Sequence, residues 1–353
     1  MKICMDDLKE KLFPICRSLS GQGVRETLDI IKDNIDDIRI IETPSNTKAF
    51  DWNVPNEWCI KDAWIKNSKG EKIISFKDSN LHVVSYSTNI HKKITFKELK
   101  NNLHFIKELP DAIPYRTSYY EENWGFCLSH NQYLSLDPNE VYEVFIDSKI
   151  FPGHITHGEV LIPGILTNEI LISTYICHPS MGNDNLSGIL AAVELYKHLK
   201  MRSNLYSYRI LFLPETIGAI NWLSQNQSKT SKIVAGFVIT CVGDSSKINL
   251  KKSRQKNSTV NKAALYLQSK NNNFNIIDYF PMGSDERQYC SPGFDLPVAT
   301  IMRSIPGRFP EYHTSLDNLN FISTENIRNT VYFLLKLTCL IEKNLKFKNL
   351  IMF

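Results

Sequence analysis

The segment Ile170–Leu199 reads ILISTYICHPSMGNDNLSGILAAVELYKHL. It begins with an apolar run, Ile170–Cys177, that has the composition of a buried strand, and the run stops at His178. A short polar loop then carries Asp184, and an Ala-rich stretch with helical spacing follows from Ser187. This order predicts a strand, a loop and a helix, with a His and an Asp at the carboxyl edge of the sheet, where open α/β sheets bind ligands.

A neutral imidazole and a carboxylate are ligand types that suit a divalent, zinc-like metal. The pair His178 and Asp184 therefore indicates a metal site. An ordinary strand–helix loop with a surface Asp and a helix-capping Ser187 would leave the same pattern. The pair alone does not decide between these two interpretations, so the remaining polar clusters of the chain matter.

The composition is that of a soluble globular protein, with 353 residues, 42% apolar and 22% charged. A net charge of +4 without a dense Lys or Arg block argues against nucleic acid as a partner. The eight cysteines form no CxxC pair, which favours a reducing cytoplasm over a disulfide framework. Charges within residues 1–20 exclude a signal peptide, and no apolar run approaches the ~20 residues of a membrane span. We therefore predict a cytoplasmic protein without a membrane partner, and the sequence leaves its oligomeric state open.

From Gly158 onward the pattern alternates between strands and helices, after a helical stretch at residues 5–35 and a strand at 38–41. The predicted strands are 160–162, 170–176, 208–213, 233–242 and 298–301. The predicted helices are 187–200, 218–226, 259–270 and 323–345. Such alternation predicts an α/β fold whose mixed, mostly parallel sheet is covered by helices on both faces.

Between the strand at 38–41 and the alternating pattern from Gly158, the sequence consists of short β-like runs separated by turn signals. The runs are Trp58–Trp64, Lys72–Phe76, Leu81–Tyr86 and Glu140–Phe145, with one helical stretch near Phe96–Leu103. These short β-like runs predict a small, mostly β domain at 46–152, inserted into a discontinuous α/β domain made of 1–45 and 153–353.

Further polar clusters accompany the later predicted strands. Glu215 follows one strand, the pair Asp285-Glu286 precedes the strand at Val298, and His313 lies before the last helix. A metal with an open coordination position lowers the pKa of bound water toward ~7. A neighbouring Glu such as Glu215 could then act as the general base. Each residue taken singly also fits a helix cap, a surface turn or a hydrogen bond within a loop.

The run from Tyr115 to His130 is dense in Tyr, Trp and Arg. It fits a packed aromatic hairpin, or a lid wall that faces a pocket, because aromatic side chains with an Arg suit recognition of a small polar substrate. On the second interpretation Arg116, Tyr119 and Tyr120 are the candidate contacts.

The order of these motifs along the chain resembles that of the zinc-dependent aminopeptidases. The similarity covers roughly residues 1–45 and 150–345, with the string His178-Pro-Ser-x-x-Asn-Asp-Asn-x-Ser-Gly188 and the string Gly283-Ser-Asp-Glu-Arg-Gln288. Together with Trp52-x-Val-Pro-x-Glu-Trp58, these strings look similar to a bacterial branch of aminopeptidase-like proteins. That branch carries an inserted β domain and is often associated with surface-polysaccharide gene clusters. Its members commonly continue into a winged-helix-like domain, which we expect to be absent from this chain.

The resemblance implies a zinc-exopeptidase-like fold and a role for each matching residue. His178 and His313 correspond to metal ligands, Asp184 to the carboxylate that bridges two metals, and Glu215 to the general base. Arg287, in the second string, is a candidate substrate contact.

The chain departs from the family at two carboxylate ligands, which are Thr216 and Thr240 here. A Thr hydroxyl is a poor zinc ligand, so one zinc ion held by His178, Asp184 and His313 is the expectation, with two ions as the alternative. Asp285 or Glu286 would replace a missing ligand or orient a ligating His.

The resemblance implies a metal-dependent hydrolase of the aminopeptidase type, acting on an amide bond in a short peptide or a small aminoacylated compound. The inserted domain would cover the pocket and restrict the substrate to small molecules. An amidase or deacylase acting on an amino-sugar would use the same chemistry. A binding protein that keeps the fold without efficient hydrolysis is the further alternative, because of Thr216 and Thr240.

Overall fold

A computed structural model describes residues 3–270 and 273–344. The helices in these ranges are α1 (Met5–Leu12), α2 (Gln22–Lys32), α3 (Phe96–Leu99), α4 (His130–Leu134), α5 (Ser187–Lys200), α6 (Ile217–Gln225), α7 (Gln227–Thr230), α8 (Thr259–Lys270), α9 (Glu286–Tyr289) and α10 (Thr324–Lys343). The strands are β1 (Arg39–Pro44), β2 (Lys48–Ala49), β3 (Trp52–Asn53), β4 (Glu57–Lys66), β5 (Lys72–Ser75), β6 (Ile90–Thr95), β7 (Leu103–His104), β8 (Phe126–Cys127), β9 (Val141–Phe151), β10 (His154–Ile162), β11 (Leu166–Tyr175), β12 (Tyr206–Leu213), β13 (Ile233–Ile239), β14 (Asn249–Lys251), β15 (Asn275–Ile277) and β16 (Val298–Met302).

The main sheet of the described residues has eight strands in the order β1-β10-β12-β11-β13-β16-β14-β15. Its centre, β12-β11-β13-β16, is parallel, whereas β1, β10 and the β14–β16 pairing are antiparallel. The parallel centre brings the carboxyl ends of these four strands to one edge, and this edge carries the candidate site.

Helices cover both faces of the main sheet. Along β11 the side chains alternate, so that Ile170 and Ile172 join one core cluster while Leu171 joins another. The first cluster includes residues of α1, α2, α5, α8 and α10, and the second includes residues of α6 and α9. The predicted mixed, mostly parallel α/β sheet with helices on both faces is confirmed.

A second sheet of four antiparallel strands, β5-β4-β9-β6, lies within the segment predicted as an insert. It has a hydrophobic cluster of its own, centred on Ile65, Phe126 and Val144. The exact division at 46–152 stays a prediction.

Several predicted elements are confirmed, including helix 187–200, while others are wrong for local reasons. Leu81–Tyr86 is not a strand, because Ser79 accepts a hydrogen bond from the Leu81 amide at 3.3 Å and caps a single helical turn. The first predicted helix ends at Leu12, two residues before Pro14, whose ring is not accommodated in a helix interior. The predicted end of the last helix, at residue 345, lies outside the described residues.

Within residues 3–270 and 273–344, no helix has both the length and the apolar character that spanning a membrane requires.

Candidate metal centre

His178 follows β11, where the central strand leaves the sheet. Its side chain is buried, and its backbone carbonyl accepts a hydrogen bond from Arg17 Nε at 2.8 Å. Burial lowers the pKa of His178 to about 4, against the opposing effect of the Asp184 charge, which raises it. The imidazole is therefore neutral at neutral pH, which is the form that ligates metals.

Asp184 lies in an irregular turn, Gly182–Leu186, between β11 and α5, and its side chain is fully buried. The turn is fixed by Asp317, whose carboxylate accepts the backbone N–H groups of Asn183 at 2.5 Å and of Asp184 at 2.9 Å. Because Asp317 comes from the loop before α10, the turn is tied to the same loop that carries His313.

The three predicted ligands gather at one point. Asp184 Oδ2 lies 3.0 Å from His313 Nε2 and 3.9 Å from His178 Nε2. One ligand atom from each of the three residues lies within 4.8 Å of the others. Asp184 Oδ2 is buried and has no hydrogen-bond partner among the described residues, because its 3.0 Å contact with His313 Nε2 lacks the angles of a hydrogen bond. An orphaned carboxylate oxygen facing two imidazole nitrogens fits a divalent ion such as zinc, since two N donors and one O donor are a usual catalytic set.

The other carboxylate oxygen of Asp184 is already occupied. Asp184 Oδ1 accepts a hydrogen bond from the Tyr175 hydroxyl, and the same hydroxyl is 2.7 Å from Thr240 Oγ1. The three side chains are fully buried. The Tyr175 hydroxyl thus engages Asp184 Oδ1, and Oδ2 is the oxygen that faces the two imidazoles.

Glu215 stands just beyond β12, on the edge that carries His178. Its Oε1 accepts a hydrogen bond from Ser284 Oγ at 2.9 Å. Desolvation raises the pKa of Glu215 well above its ordinary value, and the nearby carboxylates Asp285 and Asp184 raise it further. A carboxylate with a raised pKa is a stronger base than an ordinary Glu, which suits a group that accepts and returns a proton.

Asp285 and Arg287 hold the turn that presents Glu215. Asp285 Oδ1 accepts the Thr216 backbone N–H at 2.6 Å, and Arg287 Nη2 donates to Thr216 Oγ1 at 2.8 Å. Thr216 has a φ of 63°, which is costly for a β-branched residue and persists because both contacts stabilise it. The side chain of Asp285 contacts this turn, and Asp285 is not part of the His178, Asp184 and His313 group.

Glu286 forms a buried ion pair with Lys251. It too is outside the three-residue group.

The segment predicted as an insert contacts the site through Tyr115. Its backbone N–H donates to the His313 carbonyl at 2.7 Å, and its ring centroid lies 5.3 Å from that of His178 and 5.1 Å from that of His313. The neighbouring residues Ile113 and Ser315 exchange hydrogen bonds of 2.9 and 2.8 Å. The segment 113–115 thus runs beside 313–315 and covers one side of the candidate centre.

The three insert residues predicted as substrate contacts lie elsewhere along this run. Arg116 is exposed, and its backbone carbonyl accepts the Ser85 amide at 2.9 Å. Tyr119 packs against Tyr86, and Tyr120 is 83% exposed and stacks edge-on against Tyr119. The structure brings Tyr115, rather than these three, against the candidate ligands, and their role in substrate binding stays a prediction.

Sequence reasoning missed Tyr115, Tyr175 and Asp317. Tyr175 is the last residue of β11, and a hydroxyl placed at the carboxyl end of an otherwise apolar strand is a signal that could have pointed to it. Asp317 follows His313 by four residues in a visibly polar loop. Tyr115 has no local signal, because its position depends on pairing with a segment about two hundred residues away.

The fold and the site place the chain among proteins with the aminopeptidase fold. A zinc aminopeptidase from Bacillus subtilis has a TM-score of 0.66 at 12% identity, over 95% of this chain and 94% of that one. A peptidase M28 precursor from Shewanella amazonensis also gives 0.66 at 12% identity, over 99% and 95%. At such identities the likeness concerns the fold alone.

The chain belongs to the family described as "Domain of unknown function (DUF4910)", which matches residues 6–344. It is 49% identical over 345 residues to a Clostridium acetobutylicum protein described as a polysaccharide biosynthesis protein with an aminopeptidase-like domain, covering 98% of this chain and 79% of that protein. A solved structure described as a peptidase from Clostridium acetobutylicum has a TM-score of 0.93 at 48% identity, over 96% of this chain and 80% of that one. The resemblance to the aminopeptidase-like branch is confirmed.

Proposed function

We propose that the protein is a metal-dependent hydrolase of the aminopeptidase type that cleaves an amide bond in a short peptide or a small aminoacylated compound. The observation that carries this proposal is Asp184 Oδ2, which is buried, unpartnered among the described residues and faces the imidazoles of His178 and His313. A buried carboxylate oxygen without a hydrogen bond destabilises the folded protein unless a cation binds to it.

His178, Asp184 and His313 would hold one zinc ion. When bound there, zinc supplies a Lewis acid that polarises a carbonyl and makes a water molecule more acidic. The proposal of one ion rests on Thr216 and Thr240, which stand where the aminopeptidases that the chain resembles have further carboxylate ligands. In addition, the Tyr175 hydroxyl uses one lone pair of Asp184 Oδ1.

Glu215 is proposed to move the proton. In its ionised form it accepts a proton from the attacking water, and it then donates this proton to the nitrogen of the leaving amine as the amide C–N bond breaks. The raised pKa of Glu215 supports this role, because it makes the carboxylate a stronger base than that of an ordinary Glu. Ser284 orients the carboxyl group through its hydrogen bond to Oε1.

Tyr115 supports a restriction to small substrates. Its ring lies against both histidines and leaves less room on the side of the site that the inserted segment covers. The proposed substrate contacts remain Arg116, Tyr119, Tyr120 and Arg287. Arg287 donates a hydrogen bond to Thr216, the residue that follows Glu215.

A second candidate function is an amidase or deacylase acting on an amino-sugar. It is favoured by the description of the Clostridium acetobutylicum relative as a polysaccharide biosynthesis protein. The chemistry at the amide would be the same, so only the substrate differs between the two proposals.

Turnover of a panel of aminoacyl 4-nitroanilides and N-acyl amino-sugars by zinc-loaded protein tests the proposal. Glu215→Gln is expected to lower kcat by about 10²- to 10⁴-fold, the usual contribution of a general base. Glu108→Gln, a change of the same kind at an exposed position of the insert, is the matched control and should leave turnover unchanged. Equal turnover by Glu215→Gln and the parent protein would contradict the assigned base, and no turnover of any member of the panel would favour a binding protein.

A further inference from the structure

A cavity of about 440 Å³, here called the side pocket, opens next to the candidate metal centre. Two of its lining residues also contact the centre. Ser284 donates to Glu215 at 2.9 Å, and the ring of Tyr312 stacks on that of His313 with centroids 4.0 Å apart. A group bound in the side pocket would therefore lie beside the reacting amide.

The floor of the side pocket contains a buried ion pair. Lys251 Nζ contacts Glu286 and also donates to the backbone carbonyls of Met282 at 2.7 Å and of Phe280 at 3.3 Å. An ammonium group has three N–H donors, and all three are engaged here. Lys251 is consequently not available to bind an anionic group of a substrate.

Glu286 Oε1 faces Lys251 Nζ in the ion pair, and two further polar atoms of the same pocket have neither a hydrogen-bond nor an ion-pair partner among the described residues. They are Glu286 Oε2 and Thr300 Oγ1, both on side chains that are at most 2% exposed. Native proteins rarely leave such atoms unsatisfied, so a ligand that completes them is the simplest explanation. A hydroxyl group meets both requirements, because it can donate to Glu286 and accept from Thr300.

The charge of the floor disfavours ionised ligands. Lys251 neutralises Glu286, so a ligand cation near the carboxylate would also face the Lys251 ammonium. Arg308 lines the mouth of the pocket but is exposed, where solvent and salt screen its charge.

The walls add an apolar surface opposite this polar floor. They include Met302, Ile305 and Pro306, and the volume of the cavity lies within the range of pockets that bind whole small molecules. A ligand with an apolar face and a hydroxylated edge matches such a lining, whereas a wholly apolar side chain would leave Glu286 and Thr300 unsatisfied.

We infer that the side pocket binds a neutral, hydroxyl-bearing ring, of the size of a monosaccharide, which forms the part of the substrate next to the scissile amide. The inference rests on the proposed function in so far as it treats the bound ring as part of a substrate. Binding of the ring to the pocket does not itself require hydrolysis. Thr300 and Glu286 are then the specificity-determining residues of the pocket.

The test is a titration followed by NMR of protein labelled with ¹³C at the methionine methyl groups. Met302 is 2% exposed and lines the pocket, so its methyl signal, assigned through Met302→Leu, reports on the pocket interior. The probes are four rings of similar size: methyl β-D-glucopyranoside (neutral), D-glucosamine (cationic), D-glucuronate (anionic) and cyclohexylmethanol (mainly apolar).

We expect the neutral glucoside to shift the Met302 signal saturably, with the two charged sugars and cyclohexylmethanol binding at least about tenfold more weakly, as the loss of one good hydrogen bond predicts. Thr300→Val, which keeps the shape and removes the hydroxyl, should weaken glucoside binding about tenfold. Thr338→Val, at a buried Thr of α10 outside the pocket lining, is the matched control and should have no effect.

Tighter binding of cyclohexylmethanol or of either charged sugar, or an unchanged affinity of Thr300→Val, would overturn the inference. The titration measures neither turnover nor metal content. An inactive protein that still binds the glucoside would therefore contradict the proposed hydrolysis and leave the pocket assignment standing.

Discussion

The hydroxyl of Tyr175 donates a hydrogen bond to Asp184 Oδ1, so the two oxygens of this carboxylate have different surroundings. Oδ2 faces the imidazoles of His178 and His313 and has no hydrogen-bond partner among the described residues. This division of one carboxylate between a tyrosine and a pair of histidines supports a site for a single ion, together with Thr216 and Thr240 at the positions of two further carboxylate ligands of the resembling family.

Tyr175→Phe should destabilise the metal-free protein. The substitution removes a buried hydrogen bond to a charged group, for which a loss of about 1.5–3 kcal/mol in the free energy of unfolding is expected. Tyr289→Phe is the matched control, because the Tyr289 hydroxyl is also buried but contacts only the neutral Ser173 hydroxyl, at 3.0 Å. Its loss should be smaller, about 0.5–1.5 kcal/mol. Urea denaturation of both variants measures the difference, and equal losses would contradict the special role of the Tyr175–Asp184 contact.

The acid limb of the pH dependence of kcat/KM should respond in opposite directions to two substitutions around Glu215. Glu215 must be deprotonated to act as a base, so activity rises with pH as its proton is lost, and a raised pKa places this limb above that of an ordinary Glu. Ser284→Ala removes a hydrogen bond that lowers the pKa of Glu215 and should move the limb to higher pH. Asp285→Asn removes a neighbouring carboxylate that raises this pKa and should move the limb to lower pH.

The pH–rate profiles of the two variants provide the check. Shifts in the same direction, or an acid limb that neither variant moves, would show that a group other than Glu215 controls it.

Asp317→Asn should weaken metal binding although Asp317 touches no proposed ligand side chain. Its two carboxylate oxygens accept the backbone N–H groups of Asn183 and Asp184, and an amide has only one oxygen to offer. Loss of such supporting contacts typically lowers metal affinity by about 10- to 100-fold. Competition with a chelating dye measures the affinity, with Asp51→Asn at an exposed position as the control. An affinity equal to that of the parent protein would mean that the turn holds Asp184 in place without Asp317.

The parts of the fold that could be predicted from the sequence are those set by local pattern. The apolar run of β11, its end before His178 and the helix from Ser187 follow from composition and periodicity, and the structure has them at nearly the predicted residues. His178, Asp184 and His313 could be proposed together because parallel strands bring their carboxyl ends to one edge.

The parts that could not be predicted depend on contacts between distant segments. Tyr115 reaches the histidines only because residues 113–115 run beside 313–315. The pairing of Lys251 with Glu286 likewise joins the end of β14 to the start of α9, two elements that lie far apart in the sequence. From the sequence, Glu286 was a candidate ligand or a support for a ligand because it is a carboxylate close to the other candidate residues. The sequence does not show that this carboxylate pairs with the buried Lys251.

The most direct test of the central proposal is the zinc content per chain, measured by elemental analysis after purification without chelators. We predict one zinc ion per chain in the parent protein and in His91→Ala, whose exposed His pairs with Glu143 at 2.8 Å and packs against Trp64 and Phe145. We predict almost none in His178→Ala and in Asp184→Ala. Two ions per chain, no zinc in the parent protein, or undiminished zinc in both of the latter variants would contradict the proposal.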